Sequence, residues 1–285
     1  MTERFSADWL ALREPFDAAA RSVGLAERLA AALPARPVLL DLGAGSGSLF
    51  RWLAPIIGRA QVWVLTDADE DLLLRAYDDI ARWAGGRGWT VTQGQRALLV
   101  HAPGGAWRVE AGRLDLAAEP GALPLDGVDA VVCSALLDLV SAAWLERLVA
   151  ALRMPLLACL SVDGRDAFLP RHPGDACVRA GFRRDQGADK GFGPALGPHA
   201  PAVLHAMLAA RGFAATSAPS DWRIPAAALA MLRELVPGHA EAAARAFPAR
   251  RRAIDAWRNA RMQQGVAGRL AIRIGHRDGL GMPPR

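Results

Sequence analysis

Val38-Leu39-Leu40-Asp41-Leu42-Gly43-Ala44-Gly45-Ser46-Gly47-Ser48-Leu49 is the stretch on which the reading of this chain turns. An apolar, strand-like run breaks into a glycine-rich turn, with an acidic residue two places before the first glycine. Glycine at every second position removes the Cβ atoms that would hold a ligand off the backbone, and it permits positive φ at the turn. A helix that starts just after such a turn points its unpaired amides at whatever is bound there.

The spacing separates two kinds of ligand. A dinucleotide fingerprint reads G-x-G-x-x-G, whereas here the third glycine comes one residue early and Ser48 stands in its place. That argues against a pyrophosphate and against a nicotinamide oxidoreductase. A second β-prone run, Gln61 to Thr66, ends at Asp67, and helical periodicity begins at Leu72. Strand, glycine turn, helix, strand and acid make a nucleoside-binding βαβ unit. Asp69, Glu70 and Asp71 crowd the same turn and read as acidic residues at a helix N-terminus, where the helix dipole favours them.

Asp41-Leu42-Gly43-Ala44-Gly45-Ser46-Gly47 resembles the first motif of class I S-adenosylmethionine-dependent methyltransferases, [DE]-x-G-x-G-x-G. The resemblance implies S-adenosylmethionine as cofactor and an α/β, Rossmann-like fold: a seven-stranded, mostly parallel sheet with helices on both faces and an antiparallel final strand. It assigns the cofactor-binding role to Asp41, Gly43, Ala44, Gly45 and Gly47, to Asp67 and Ala68 at the ribose, and to Asp115 and Leu116 near the adenine. Asp115 reads equally as an exposed loop aspartate. In an open α/β sheet, ligands sit outside the carboxyl ends of the strands, which sets Ser134 and Asp138 near the reacting sulfonium.

Bulk properties narrow the class. A hydrophobic content of 52% over 285 residues is ample for a core. No apolar run is long enough to span a bilayer, and Met1 to Asp8 lacks a basic region followed by an apolar one, so a soluble, cytoplasmic protein is expected. Cys133, Cys159 and Cys177 are widely spaced and read as reduced core thiols, with no metal implied. The net charge of +5 points toward nucleic acid. Lys190 is the sole lysine among 34 basic residues, an arginine bias that resembles GC-rich coding more than selection for phosphate contacts.

Along the chain, residues 1–36 read as N-terminal helices interrupted at Pro15, and 37–165 as the cofactor-binding core of a single methyltransferase domain. Within the core, Gly85 to Gly88 is a breaker, and three short β-prone pieces at 89–92, 97–100 and 107–109 predict a hairpin elaboration around the third strand. Strands are expected at 128–133 and 155–162. Residues 166–200, rich in Gly, Pro, His and charge, are too long for an ordinary connection and are read as a substrate lid after the fifth strand. A helix at 201–211, a strand at 213–219, helical segments at 226–263 and a last strand at 269–274 complete the second half of the sheet (201–277), with 278–285 as a tail.

Methyl transfer from a sulfonium is an in-line displacement whose rate comes largely from alignment, and a base is needed only if the acceptor arrives protonated. Asp138, Asp163, His172 and His199 are the polar candidates, and Asp138, Lys190 and His199 are taken as the catalytic set. Glycine-flanked Lys190 either pairs with an acidic substrate group or is a surface residue. Arg13, with Arg21 nearby, either clamps the methionine carboxylate or lies on a solvated helix face. Arg245, Arg250, Arg251, Arg252, Arg258 and Arg261 form the strongest positive cluster, read as a partly snorkelling surface. The leading expectation is methyl transfer to a small-molecule acceptor, acidic acceptors included. The alternatives are an RNA methyltransferase using the arginine-rich helices and a binding module without turnover. Ser134-Ala135-Leu136-Leu137 stands where an enzyme of nucleic-acid amino groups would carry an Asn/Asp-Pro-Pro-Tyr/Phe-type sequence.

Overall fold

The computed structural model describes residues 6–94, 97–117 and 123–284. In chain order the elements are α1 (Ala7–Ala20), α2 (Val23–Ala32), β1 (Val38–Leu42), α3 (Ser48–Ile57), β2 (Gln61–Asp67), α4 (Glu70–Gly85), β3 (Thr90–Gln93), β4 (Ala97–Ala102), β5 (Gly105–Arg113), β6 (Ala130–Ser134) and α5 (Ala142–Ala151). They continue as β7 (Leu156–Val162), β8 (Ala167–Leu169), α6 (Asp175–Gln186), α7 (Ala200–Ala210), β9 (Ala214–Pro219), β10 (Trp222–Ile224), α8 (Leu229–Ala246), α9 (Arg251–Val266), β11 (Ala271–Ile274) and β12 (His276–Met282).

The main sheet runs β3-β4-β5-β2-β1-β6-β7-β12-β9. From β5 to β7 the pairings are parallel, and β12 inserts antiparallel between β7 and β9. This is a Rossmann-like α/β sheet. Seven strands were expected and nine are present, because the hairpin foreseen at 89–109 adds β3 and β4 antiparallel to the edge at β5. Helices cover both faces, as the continuous apolar strands require. Leu39 of β1 packs with Leu29, Phe50, Leu53 and Ile80 on the α2, α3 and α4 side, while its neighbour Leu40 packs with Trp144, Leu148, Leu204 and Leu208 on the α5 and α7 side. Alternation of side chains across the pleat produces these two cores.

The second half of the chain departs from expectation. Residues 269–274 were read as the inserted final strand, yet Ala271–Ile274 is the middle strand of a separate three-stranded sheet, β10-β11-β8. The inserted strand is β12, most of which lies in the stretch read as a tail, 278–285. It is fixed by Asp278, 1% exposed, whose carboxylate accepts the amides of Leu160 and Ser22, each at 2.7 Å.

The small sheet, α6, α8 and α9 share a third core around Phe168, Val178, Trp222, Val236 and Trp257, against which Trp9, Leu12 and Phe16 of α1 pack. This cap is assembled from the segment read as a lid and from 222–274 together. Gly181 lets α6 and α8 meet closely, since a Cβ there would fall 2.7 Å from Ala243 Cα. Asp175 at the start of α6 accepts from Trp257 Nε1 at 2.8 Å and from the buried Arg261 guanidinium. Arg261 also donates to the Pro170 carbonyl, so α9 and the α6 entry are locked together.

Candidate functional site

Chain order reverses direction across β1, with β2 on one side and β6 on the other, and a crevice opens at the carboxyl ends of β1 and β6. The glycine turn lies there. Gly43, Gly45 and Gly47 have φ of 67°, 53° and 78°, conformations that side chains rarely adopt. Their surroundings differ. A Cβ on Gly43 or Gly45 would approach Leu136 or Leu10 at the crevice, whereas one on Gly47 would press on Ile80 and Ala76 of α4. Gly47 therefore starts α3 and seats it on α4, and it does not line the crevice. Ala44 holds the turn to β2 by donating its amide to the Thr66 carbonyl at 2.9 Å.

Asp67, the last residue of β2, accepts the Gly45 amide at 2.8 Å and the Asp69 amide at 3.0 Å. Burial raises its pKa, and these backbone hydrogen bonds offset part of that rise. Asp69 caps α4 through the Asp71 and Leu72 amides, which accounts for the acidic turn. A cavity of about 300 Å³ extends from Gly43 and Gly45 past Asp67 and Ala68 to Asp115 and Leu116, ending at Ser134 and Ala135. Asp115 is exposed on its wall and accepts the Ala117 amide, while Leu116 is buried and accepts the Trp144 indole N–H.

Beneath the turn, a smaller cavity of about 60 Å³ holds Asp41 and Arg21. Arg21 donates to Ser134 Oγ and Ser48 Oγ, each at 3.0 Å. Asp41 is 1% exposed, and neither carboxylate oxygen has a hydrogen-bond partner among the described residues. Burial pushes its pKa up to about 8, against the pull of Arg21 and with a contribution from Asp67.

A third cavity, of about 430 Å³, lies between the sheet and the cap. Ala135, Asp138, Leu160 and Val162 line it from the sheet, α6 and α8 contribute Phe182, Gln186 and His239, and Trp9, Trp222 and His276 add to the lining. The three cavities meet at Arg13 and Ala135, which line all of them. Arg13 is held there by Asp17 at 3.0 Å and lies 4.8 Å over the Trp222 ring, while Trp222 Nε1 donates to the same Asp17 at 2.9 Å. Ala135 and Leu160, with φ of 54° and 56°, are the two non-glycine residues with positive φ among those described. Both line this chamber, where strained backbone is commonly retained for function.

The other sequence candidates distribute as follows. Asp138 lines the chamber; its Oδ1 has no partner, and its pKa is pushed up to about 6, burial outweighing the opposing pull of its own backbone amide and of Arg13. Lys190 also lines the chamber, 3.6 Å from Asp185, which takes a two-pronged hydrogen bond from Arg245. His199 is exposed at the start of α7 and lines none of these cavities, because the 197–199 turn carries it out to solvent. His172 caps the α6 entry, where its Nδ1 accepts the Gly174 amide, and Asp163 pairs with Arg165. Sequence reasoning missed His239, His276, Gln186, Trp9 and Trp222. The first three sit singly in segments assigned to other roles, and only the cap's packing brings them together.

The arginine cluster is largely spent within the fold: Arg261 on Asp175, Arg245 on Asp185, and Arg251 and Arg258 on Asp255. Among the described residues there is no group of His, Cys, Asp and Glu suited to a metal and no helix long and apolar enough to cross a membrane.

No protein-family model matches the sequence, and no curated protein does. Solved structures resemble it at low identity. A methyltransferase from Thiobacillus denitrificans with S-adenosylhomocysteine bound is 14% identical over 99% of this chain and 100% of that one, with a TM-score of 0.46. One from Geobacter sulfurreducens, also with S-adenosylhomocysteine, is 15% identical over 92% of each chain, at 0.43. Phosphoethanolamine N-methyltransferase 2 of Haemonchus contortus is 14% identical at 0.44, and this chain covers 59% of that protein's length.

Proposed function

We propose that this chain is an S-adenosylmethionine-dependent methyltransferase that methylates a small molecule held between the sheet and the cap. The observation that carries this reading is the junction at Arg13 and Ala135, which joins a nucleoside-sized cleft over the glycine turn to a separate chamber. When bound, the sulfonium supplies an electrophilic methyl group.

The residues present fit that group. Asp67 offers lone pairs to two ribose hydroxyls from a position fixed by the Gly45 and Asp69 amides. Gly43 and Gly45 leave room where a Cβ would intrude. Asp115 and Leu116 border the far end of the cleft, where an adenine would lie. Asp41, buried without a partner beside Arg21, suits the ammonium of an amino acid, and the guanidiniums of Arg13 and Arg21 suit its carboxylate. Asp17 holds both Arg13 and Trp222, which fixes the guanidinium at the junction.

The chamber favours a small acceptor over RNA: it lies between the sheet and the cap, and four of the six clustered arginines are paired with Asp175, Asp185 and Asp255. It also favours turnover over a module that only binds cofactor, because a second cavity adjoins the first. Calorimetric titration with S-adenosylhomocysteine, with NADH as control, tests the reading. Saturable binding of the former alone supports it. Binding of NADH, or of neither, refutes it.

A further inference from the structure

The loop after α6 touches both cavities. Its stretch Asp189-Lys190-Gly191-Phe192-Gly193 sets Lys190 on the chamber and Phe192 on the cleft over the glycine turn. The backbone here is closely specified. Asp189 Oδ1 accepts the amides of Gly191 at 2.7 Å and Gly193 at 3.0 Å, and the two glycines have φ of 105° and 87°, which a side chain would strain. Downstream, the Leu196 amide donates to the Val140 carbonyl at 2.8 Å and the Gly197 amide to the Asp138 carbonyl at 2.9 Å. Lys190 lies 3.6 Å from Asp185 of α6. The loop is thus tied to the cap at one end and to the segment after β6 at the other.

Phe192 is half-buried and meets Trp144 edge to face, with centroids 5.7 Å apart and an interplanar angle of 83°. In either sense of such a contact, at least one face of the phenyl ring is left uncovered by the indole. Trp144 is 1% exposed and donates its indole N–H to the Leu116 carbonyl at 2.7 Å. One buried ring therefore seats both Leu116 and Phe192, two walls of the cleft that are far apart in sequence, and it does so beside Asp115. An aromatic side chain on the wall of a nucleoside-sized cleft is suited to a base, because every base has a π-face to stack.

We infer that Phe192 is a cofactor-binding residue whose ring lies against the adenine, and that the 189–193 loop is a strap by which the cap closes the cofactor cleft. This rests on the methyltransferase reading of that cleft. It adds a contact from outside the glycine motif and the strand ends, supplied by the segment that also lines the chamber. A loop conformation that seats Phe192 on the base also sets the position of Lys190 on the chamber wall, so the two cavities share one moving part.

The test uses the full chain, calorimetric titration with S-adenosylhomocysteine and a thermal melt of each variant. Phe192→Ala is expected to weaken binding about tenfold, the loss that one base–aromatic stack gives. Phe192→Leu keeps apolar bulk beside Trp144 without the ring; it is expected to melt within a few degrees of the wild type and still bind about fivefold more weakly. Phe192→Tyr keeps the ring and is expected to bind within about threefold of the wild type. Asp189→Ala frees the Gly191 and Gly193 amides without touching the cleft and is expected to weaken binding about threefold or more. Wild-type affinity in Phe192→Leu overturns the adenine contact, as does a Phe192→Tyr protein that binds as weakly as Phe192→Ala. Wild-type affinity in Asp189→Ala overturns the strap. Failure of the underlying reading looks different: the wild-type chain would then not bind S-adenosylhomocysteine at all, and the inference would fall with it.

Discussion

Asp67→Ala isolates the cofactor cleft. In the free protein this carboxylate accepts two backbone amides, from Gly45 in the turn and Asp69 at the head of α4, so its removal has a structural and a binding consequence. The structural one is modest. Both amides lie beside an open cleft where water can replace the carboxylate, giving a loss of about 1 kcal/mol, near the low end for unsatisfied groups. The binding loss is larger, because hydrogen bonds to a charged acceptor contribute about 1.5 to 3 kcal/mol, or roughly ten- to a hundredfold in Kd. Calorimetric titration with S-adenosylhomocysteine reads the second effect, and a thermal melt on the same sample reads the first. Asp67→Asn serves as the control, because it keeps one acceptor oxygen for the turn and loses the charge. It is expected to melt within a few degrees of the wild type and still bind at least fivefold more weakly. Wild-type affinity in Asp67→Ala, with an intact melt, would refute the ribose assignment.

Three further outcomes follow from the cap and chamber. Gly181→Val drives a branched side chain into Ala243 on α8 and is expected to cost about 1 to 3 kcal/mol by overpacking, lowering the melting temperature by several degrees while S-adenosylhomocysteine still binds at the sheet; an unchanged melt would contradict the close α6–α8 contact. Asp175→Ala leaves Arg261, 0% exposed, without its carboxylate and is expected to cost about 3 to 5 kcal/mol, read by urea denaturation. His276 is pushed down to about 4 by burial first and by Arg13 second. The unfolded chain therefore binds a proton there that the folded chain does not between pH 6.5 and 4, and stability falls across that window on acidification, by about 3 kcal/mol. His276→Asn is expected to flatten this part of the pH–stability curve, and an identical curve would show that the imidazole is not held neutral by the fold.

Much of this was legible from sequence where local chemistry is self-announcing. The turn at 43–47 requires glycine at each second position because each adopts positive φ, and the acid at the end of β2 sits where the parallel crossover must place it. β1, β6 and β7 are buried on both faces and read as near-continuous apolar runs, while β2 alternates buried and half-buried residues. The cap was illegible because its sheet is built from strands of three and four residues drawn from three distant segments, which no periodicity can mark. β12 was hidden by its composition, His-Arg-Asp-Gly-Leu-Gly-Met, which looks like a polar tail. It is buried because Asp278 satisfies two backbone amides and because Gly279 and Gly281 make room for Leu204 and Leu208 of α7. The candidate site divides in the same way. The cleft follows from one contiguous motif and a strand end, while the chamber's histidines and Gln186 converge only in three dimensions. His199, singled out for its residue type alone, stands in solvent.

Methyl transfer needs one path from the glycine turn through the Arg13–Ala135 junction into the chamber. A crystal structure with S-adenosylhomocysteine bound tests it most directly. The expected result has the ribose hydroxyls on Asp67, the amino acid end beside Asp41 and Arg21, and the sulfur at the junction with an open line to Asp138. A ligand seated elsewhere, or one whose sulfur faces away from the chamber, would contradict it.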